Sequence, residues 1–341
     1  MDIRHRIIKL EQVFVSFPTY IQAVIAEIQT SIPFAASCCT AVDPDTLLSI
    51  GAITDGQIEN IHPQLFESEY GQLDYNQYTT LLHTKQTAAI LSEATGGDLR
   101  KSKRSTDILQ PAGFGDELRA VLLDQEECWG HLSLFRGIKE PHFQKEERRL
   151  LAELAPLIGQ ALRRFRLTLS LTTSGQTSDP GILILSHALD IISFNQPARH
   201  WLTVLREWEN INEDILPKPI RAVSTKARTN ETAKVLITNP GLSLKASRLT
   251  GNTEQIAVSF EPASPAETLM ILTDAFNLTK REKDITSCVI RGLSTKEMAG
   301  ELHISAYTVQ DHLKSIFTKT GAGSRRELAR MLIPAAFPGC E

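Results

Sequence analysis

The sequence predicts a multidomain protein in which two α+β domains precede an all-α domain of four short helices. The chain has 341 residues, which is too long for one ordinary domain. Strand-like and helix-like segments alternate over most of the length, whereas the C-terminal part contains four closely spaced helix starts. We expect the three domains to span residues 14–170, 179–263 and 274–341.

The first predicted domain combines helices at its two ends with strands between them. Apolar residues at helical spacing predict the helices, and apolar runs flanking the polar residues 124–127 predict a β-hairpin. The long segment 51–111 has mixed polarity, and we expect it to act as a connecting lid or binding loop. The predicted elements are, in order, a helix over 18–30, strands over 34–42, 46–50, 118–123 and 128–135, and a helix over 144–169.

The second predicted domain is smaller and follows a Thr/Ser/Gly linker over residues 172–178. Short apolar runs separated by turn residues predict five strands and one helix. The predicted elements are strands over 181–185 and 191–195, a helix over 197–202, and strands over 233–238, 242–249 and 255–261.

Cap signals define the four helices of the third domain. Three starts have a Ser or Thr followed three residues later by Glu, a spacing that satisfies two backbone donors at once. The fourth helix starts at Ser305, a lone N-cap. Because residues 302–305 allow only a tight turn, the helices on either side must cross as in a helix-turn-helix. The three pairs are Thr279 with Glu282, Ser294 with Glu297, and Ser324 with Glu327.

Helical periodicity divides the helix after Ser305 into two faces. Val309, Leu313, Ile316 and Phe317 are expected to be buried, while a polar stripe faces outward. Residues 277–333 contain ten Lys or Arg and six Asp or Glu, a net charge of +4. Since the whole chain has a net charge of −4, the rest has −8. A basic module on an acidic body is typical of a DNA-binding head, although a helical bundle with a merely solvated stripe is the alternative. The outward stripe consists of Tyr307, Gln310, Asp311, Lys314 and Thr318.

These motifs resemble the C-terminal DNA-binding domain of LuxR-type transcription regulators. The resemblance rests on four groups of residues: Leu278, Thr279, Arg281 and Glu282; the run 292–297; Ile304, Ser305, Thr308, Val309, His312 and Leu313; and Lys319, Thr320, Gly321, Ala322, Ser324, Arg325, Glu327 and Leu328. It implies a four-helix module that binds palindromic operators as a dimer, with the third helix in the major groove.

The resemblance also implies a role for each DNA-binding residue. Thr308 and Lys319 would contact phosphates, and Gln310, Asp311 and Lys314 would face base edges. Val309 and His312 would mainly pack or orient the helix. Asp311 would be repelled by phosphates, so its role could be to exclude wrong sequences. The full predicted set is Lys296, Ser305, Thr308, Val309, Gln310, Asp311, Lys314 and Lys319.

The order of elements in the first domain resembles a GAF domain, and the opening strands and helix of the second resemble a PAS domain. These resemblances imply sensory or dimerising sheets, and a GAF-like sheet can enclose a pocket for an unidentified small molecule. The alternative for the second domain is a plain connector. No cofactor is identified. His131 is isolated on an apolar-flanked segment and is expected to be packed or exposed rather than a metal ligand. Cys38, Cys39 and Cys128 are read as buried small hydrophobes, with redox targets as the alternative.

The functional hypothesis is a one-component regulator that is not an enzyme. We find no nucleophile elbow, phosphate loop, zinc spacing or kinase motif in the sequence. We expect a cytoplasmic homodimer that binds a double-stranded DNA operator and no membrane, with RNA polymerase as a further candidate partner. The apolar stripe of the helix at 144–169 either pairs two protomers or packs on the sheet of its own domain, and the sequence favours neither. In the alternative hypothesis the protein is constitutively dimeric, and its front domains only dimerise or dock a protein. A less favoured third is an enzyme fused to a DNA anchor.

Overall fold

The computed structural model describes residues 2–14, 17–71, 73–168, 179–209, 211–230, 232–237, 241–251 and 254–336. The chain forms two compact units. The first contains two five-stranded sheets with helices α1–α8, and the second contains helices α9–α13. The linker predicted at 172–178 lies outside the described residues. None of the helices described is long and apolar enough to cross a membrane.

The first sheet is antiparallel, with strand order β2-β1-β5-β4-β3. Its centre is the predicted hairpin, in which β4 and β5 pair and Asp124 lies opposite Glu127. The third strand was not predicted. The strands are β1 (Ala36–Val42), β2 (Ser49–Thr54), β3 (Ala88–Ile90), β4 (Phe114–Asp124) and β5 (Glu127–Gly137).

Six α-helices of the described residues accompany this sheet, and α3, α4 and α5 correct the sequence analysis. The segment 51–111 is not an open connecting loop, because α3, α4, α5 and strand β3 lie within it. Helix α3 contains Pro63 and has no continuous apolar stripe, which is why periodicity did not reveal it. The helices are α1 (Ile3–Val13), α2 (Phe17–Gln29), α3 (Gly56–Gly71), α4 (Tyr78–His83), α5 (Leu91–Ala94) and α6 (Lys145–Thr168).

Helix α6 packs closely on the sheet of its own domain. A Cβ on Gly159 would lie 2.5 Å from the carbonyl oxygen of Leu123, and one on Gly130 would lie 2.6 Å from Leu162. Most of the apolar stripe of this helix, which was considered as a dimer contact, is therefore buried inside the same chain. The buried residues of α6 are Leu151, Leu154, Ala155, Ile158, Ala161, Leu162 and Phe165.

A buried polar cluster lies between the first sheet and helices α3 and α4. Glu117 on β4 accepts from Arg104 (3.0 Å) and Arg119 (2.8 Å). The ring of His131 stacks on Tyr78, with centroids 3.8 Å apart. Burial and, less strongly, the nearby Arg119 lower the pKa of His131 to about 3. His131 is therefore packed and neutral, as expected from the sequence.

The second sheet has the same topology as the first, with strand order β7-β6-β10-β9-β8. All five strands and helix α7 lie where the sequence predicts them. Helix α8 was not predicted, because small residues such as Ala222, Ser224 and Ala227 supply much of its buried face. The elements are β6 (Gly181–Ser186), β7 (Ile191–Phe194), α7 (Gln196–Glu209), α8 (Lys218–Asn230), β8 (Thr232–Ile237), β9 (Leu242–Leu249) and β10 (Gln255–Pro262).

The two α+β halves of the first unit are in direct contact. The ring of Trp208, at the end of α7, lies so close to β2 that a Cβ on Gly51 would be 2.2 Å from it. The ammonium of Lys218 on α8 lies 3.0 Å from the carboxylate of Glu59 on α3. Both contacts join residues more than a hundred positions apart, which periodicity could not predict.

The second unit consists of five helices around one apolar core. The predicted domain start at residue 274 falls inside α9, and Leu272 of that helix belongs to the core. A fragment that keeps helices α9–α13 together therefore begins near Pro262. The helices are α9 (Pro265–Ala275), α10 (Lys280–Ile290), α11 (Thr295–Glu301), α12 (Ala306–Thr320) and α13 (Arg325–Ala336).

Two of the three predicted capping boxes are complete. Thr279 and Glu282 exchange both hydrogen bonds at the start of α10, and Ser294 and Glu297 do so at α11. At α13 the amide of Glu327 donates to the Ser324 hydroxyl (3.2 Å). The Glu327 carboxylate accepts from the amide of Gly323 (2.8 Å), one residue before the expected donor. Each cap contributes about 1 kcal/mol to helix stability.

Candidate nucleic-acid interface

Helices α11 and α12 form a helix-turn-helix. The turn between them is short because His303 has a left-handed φ of 53° and the amide of Ile304 donates to the carbonyl of Ala299 (3.0 Å). Helix α12 then starts at Ser305, whose hydroxyl accepts from the amide of Thr308 (3.0 Å). The hydroxyls of Ser305 and Thr308 lie 2.8 Å apart. Both predicted features, the tight turn and the lone cap, are present.

The two faces of α12 differ as periodicity predicts. Val309, Leu313 and Ile316 are buried in the core of the second unit, and the partly buried Phe317 packs against it. The opposite face is open, with Tyr307 72% exposed. This face offers donors and acceptors to a partner without disturbing the core. The exposed residues are Tyr307, Gln310, Asp311, Lys314 and Thr318.

Asp311 and Lys314 form a loose ion pair on the exposed face. The Lys314 ammonium lies 3.7 Å from the Asp311 carboxylate, and both side chains are about half or more exposed. Such pairs contribute little to stability, roughly 0–1 kcal/mol. The pair partly neutralises Asp311, which reduces its repulsion of phosphates, and leaves Lys314 able to reach a base edge.

Glu282 connects α10 to α12. Its carboxylate accepts from the Lys319 ammonium (2.7 Å), the Ser315 hydroxyl (2.6 Å) and the backbone amide of Thr279 (2.7 Å). The same ammonium donates to the carbonyl of Asn277 (3.0 Å). Burial by itself would raise the pKa of Glu282, but the hydrogen bonds from Lys319, Ser315 and Thr279 lower it to about 2. This carboxylate thus fixes α12 relative to α10.

The structure places each member of the predicted DNA-binding set. Val309 is fully buried, a position that suits the packing and orienting role expected for it. Lys319 is already engaged with Glu282, with 31% of its side chain exposed. Lys296 and Ser305 are exposed, and Thr308 is half-buried. The DNA contacts of these residues, and of Gln310, Asp311 and Lys314, stay predictions.

Sequence reasoning missed two contacts that hold the helices in place. It treated Glu282 only as a cap, although Ser315 and Lys319 stand at i and i+4 on α12, a spacing that indicates a shared contact. It also missed Arg325 on α13, which donates to the Thr295 hydroxyl at the start of α11 (2.6 Å).

Comparison with known proteins decides the family of this domain. Residues 276–332 match the family model described as bacterial regulatory proteins, luxR family. The spore germination protein GerE of Bacillus subtilis is 40% identical over 58 residues, which are 16% of this chain and 78% of that protein. The protein belongs to the luxR family. Its C-terminal unit carries that family's helix-turn-helix, which indicates DNA-binding transcription regulation.

Two further relatives match over similarly short lengths. Response regulator Rre1 of Synechocystis sp. is 39% identical over 57 residues, 17% of this chain and 25% of that protein. The monoamine regulon transcriptional regulator of Klebsiella aerogenes is 45% identical over 60 residues, 17% of this chain and 26% of that protein. This luxR-family chain therefore spans about a quarter of the length of these two relatives.

Among solved structures, a bacteriophytochrome, RpBphP3 from R. palustris, overlaps the chain with a TM-score of 0.32 and 11% identity. The overlap covers 76% of this chain and 61% of that one. At this TM-score the likeness supports no argument about the α+β unit of the luxR-family protein.

Proposed function

We propose that this luxR-family protein is a one-component transcription regulator. Helix α12 enters the major groove of a double-stranded operator, and the two front domains receive a signal that controls it. The observation that carries the proposal is the exposed polar face of α12 opposite a buried face, held to α10 through Glu282. The proposal assigns no catalytic reaction to the chain.

The charge distribution supports DNA as the partner of this face. Residues 277–333 have a net charge of +4 on a chain of net charge −4. A basic head is attracted to phosphates, and the acidic remainder is repelled by them, so binding is confined to the head. Gln310 and Lys314 would then supply specific contacts with base edges, as side chains of these types do in major grooves.

We also propose that the protein acts as a homodimer on a palindromic operator, with RNA polymerase as a further partner. Two heads related by a twofold axis match two half-sites about one helical turn apart. Because most of the apolar stripe of α6 is buried within the chain, the dimer contact has to use other surfaces. Light scattering at micromolar concentration, with and without operator, tests this; a monomer in both conditions would contradict it.

For the front domains we propose a GAF-like and a PAS-like identity. Support comes from the common strand order of the two sheets, in which the first and last strands of each domain lie side by side. A cavity of about 50 Å³ adjoins the polar cluster of the first sheet. This is where the sequence analysis expects a ligand, but since one water occupies about 30 Å³, it has room for one or two waters.

Binding-site selection with random duplexes, followed by titration at several salt concentrations, tests DNA recognition. We expect selected sites to show half-site symmetry. If each head neutralises about three or four phosphates, a dimer gives a log-log salt slope near −5 to −7. A slope near zero on every sequence would contradict DNA binding. Operator affinity that is identical for the full chain and for the fragment 262–341, with no ligand-induced stabilisation, would favour front domains that only dimerise or dock a protein.

A further inference from the structure

A cavity of about 320 Å³ lies between the two α+β halves of the first unit. Residues of β2 and the start of α3 line one side, and the end of α7 and the segment leading to α8 line the other. Its volume falls in the range of roughly 300–1,000 Å³ that is usual for small-molecule sites. It is several times larger than the cavity beside the polar cluster of the first sheet.

Glu209 gives this cavity an unsatisfied acceptor. The side chain lines the cavity, and the residue is only 7% exposed. Its Oε2 accepts from the backbone amide of Lys218 (2.9 Å). Its Oε1 is buried and has no hydrogen-bond partner within the described part of the chain. A buried carboxylate oxygen without a donor is costly, so a ligand that supplies a donor gains more here than on the surface.

The charges around Glu209 come from both halves of the unit. Lys218 and Arg221 lie on α8, and Glu59 and His62 lie on α3. The Lys218 ammonium, 2% exposed, is paired with Glu59 at 3.0 Å. Burial and, less strongly, Glu59 raise the pKa of Glu209 to about 7, against the lowering effects of Lys218 and Arg221. Burial lowers the pKa of His62 well below its ordinary value, so His62 is neutral.

The rest of the wall is mainly apolar. The ring of Trp208 lines the cavity together with Ile211 and Ile215. Trp208 stacks on Phe17, whose ring centroid lies 6.3 Å away at an interplanar angle of 26°. An aromatic face beside a carboxylate attracts a cation attached to an apolar body. A carboxylate ligand would be repelled by Glu59 and Glu209. Of the two cations, Lys218 is already paired with Glu59, and Arg221 does not line the cavity.

We propose that this cavity binds a small primary ammonium compound with an apolar body, whose ammonium donates to the free oxygen of Glu209 while the body lies against Trp208, Ile211 and Ile215. The proposal names the chemical class of signal for the sensing function proposed above, and its regulatory meaning rests on that function. Binding itself does not require DNA.

Calorimetric titration of the full chain, without DNA, tests the ligand class. The probes are primary amines from butylamine to tryptamine, together with 2-phenylethylamine, 2-phenylethanol and 3-phenylpropionate, which present three head groups on one apolar body. We expect saturable binding by amines, and at least about tenfold weaker binding by the alcohol and the acid. Binding by no amine at pH 8, or tighter binding of the acid, would overturn the proposal.

Variants locate the site. Glu209→Gln should weaken amine binding about 10- to 100-fold, because a charge-assisted hydrogen bond is lost. The matched control is Glu207→Gln, the same change at an exposed position of the same helix, which should leave affinity unchanged. Ile215→Trp fills the cavity but keeps the Glu209 carboxylate, and it should also abolish binding. Circular dichroism checks that this variant is folded. Unchanged amine affinity in both single variants, Glu209→Gln and Ile215→Trp, would show that the amine binds elsewhere.

The dependence of affinity on pH separates this carboxyl from a general charge effect. Between pH 6 and pH 8 the affinity of the unmodified protein for an amine should rise about tenfold, as Glu209 ionises. In Glu209→Gln the affinity should not change over this range. A rise of the same size in Glu209→Gln would contradict the role of this residue. Failure of these titrations would leave operator selection by α12 unaffected, so the two proposals fail separately.

Discussion

Replacing Lys319 by Met should weaken the contact between α10 and α12 and destabilise the C-terminal unit. The change keeps the apolar stem but removes the ammonium that donates to Glu282 and to the carbonyl of Asn277. The Glu282 side chain is 4% exposed and would keep its charge with one donor fewer. A buried carboxylate that has lost a donor destabilises the fold by more than the ion pair between Lys319 and Glu282 had stabilised it.

The pKa of Glu282 gives the size of the effect. In the folded protein it is about 2, against an ordinary value of 4.5. That difference corresponds to about 3 kcal/mol of unfolding free energy at neutral pH. Because the folded pKa is the lower one, this stabilisation is complete above pH 4.5 and is lost as the pH falls towards 2. Lys319 is one of three donors but the only charged one, so we expect Lys319→Met to cost about 2 kcal/mol at pH 7.

Urea denaturation of the fragment 262–341, followed by circular dichroism at pH 7 and at pH 3, measures this cost. The difference in unfolding free energy between Lys319→Met and the unmodified fragment should be smaller at pH 3 than at pH 7, because Glu282 in the variant begins to protonate there. Lys296→Met, at an exposed position, serves as the stability control and should stay within about 0.5 kcal/mol. An equally small effect of Lys319→Met at pH 7 would refute the reasoning.

The same variants decide whether Lys319 also contacts phosphate. Glu282→Gln frees the ammonium without removing it. If Lys319 contacts a phosphate, Glu282→Gln keeps the salt slope of operator binding, while Lys319→Met reduces it by about 1 for each altered contact. If Lys319 only positions α12, both variants weaken binding to the same extent with an unchanged slope. The predicted phosphate contact would then be wrong.

Three further predictions follow from individual contacts. Gln310→Ala and Lys314→Ala should each relax sequence preference by about 1–3 kcal/mol at particular base pairs in competition binding, and uniform weakening would mean that the face is misassigned. Glu209→Gln should raise the melting temperature more at pH 8 than at pH 5, because the raised pKa of Glu209 means that stability is lost as the pH rises from 4.5 to about 7. Gly51→Ala should cost about 1–3 kcal/mol in urea denaturation and shift the fluorescence of Trp208, since the added Cβ would meet its ring.

Local signals predicted most of the fold. The β4–β5 hairpin, the five strands of the second sheet and the caps of α10, α11 and α12 all depend on residues a few positions apart. Such features are set by turn chemistry and periodicity, which a single sequence displays. Helices α3 and α8 were missed for the complementary reason. Their buried faces include charged or small side chains, so the apolar pattern that indicates a helix is weak in them.

Contacts between distant residues could not be predicted in the same way. The stacking of His131 on Tyr78 joins β5 to α4, and the pair of Lys218 and Glu59 joins α8 to α3. In the C-terminal unit, by contrast, the outward face of α12 was predictable residue by residue, because one helical period determines it. What the period could not show was that Lys319 is held by Glu282, 37 positions earlier in the chain.

Two buried glutamates differ in how many hydrogen-bond donors reach their carboxylates. Glu282 has donors on both oxygens, from Ser315 on one and from Lys319 and Thr279 on the other, and its pKa falls to about 2. Glu209 has, among the residues that the structure describes, a donor on one oxygen only, and its pKa rises to about 7.

These opposite shifts give the two units opposite responses to pH. Ionised Glu282 stabilises the C-terminal unit throughout the neutral range, so the position of α12 does not depend on pH there. Ionised Glu209 destabilises the first unit until a donor reaches its free oxygen. An ammonium ligand would therefore bind to a carboxylate that is poorly solvated beforehand, and binding would recover stability lost by ionisation. If such binding changes operator affinity, operator DNA must change amine affinity by the same factor, and a titration of amine in the presence of operator would measure that coupling directly.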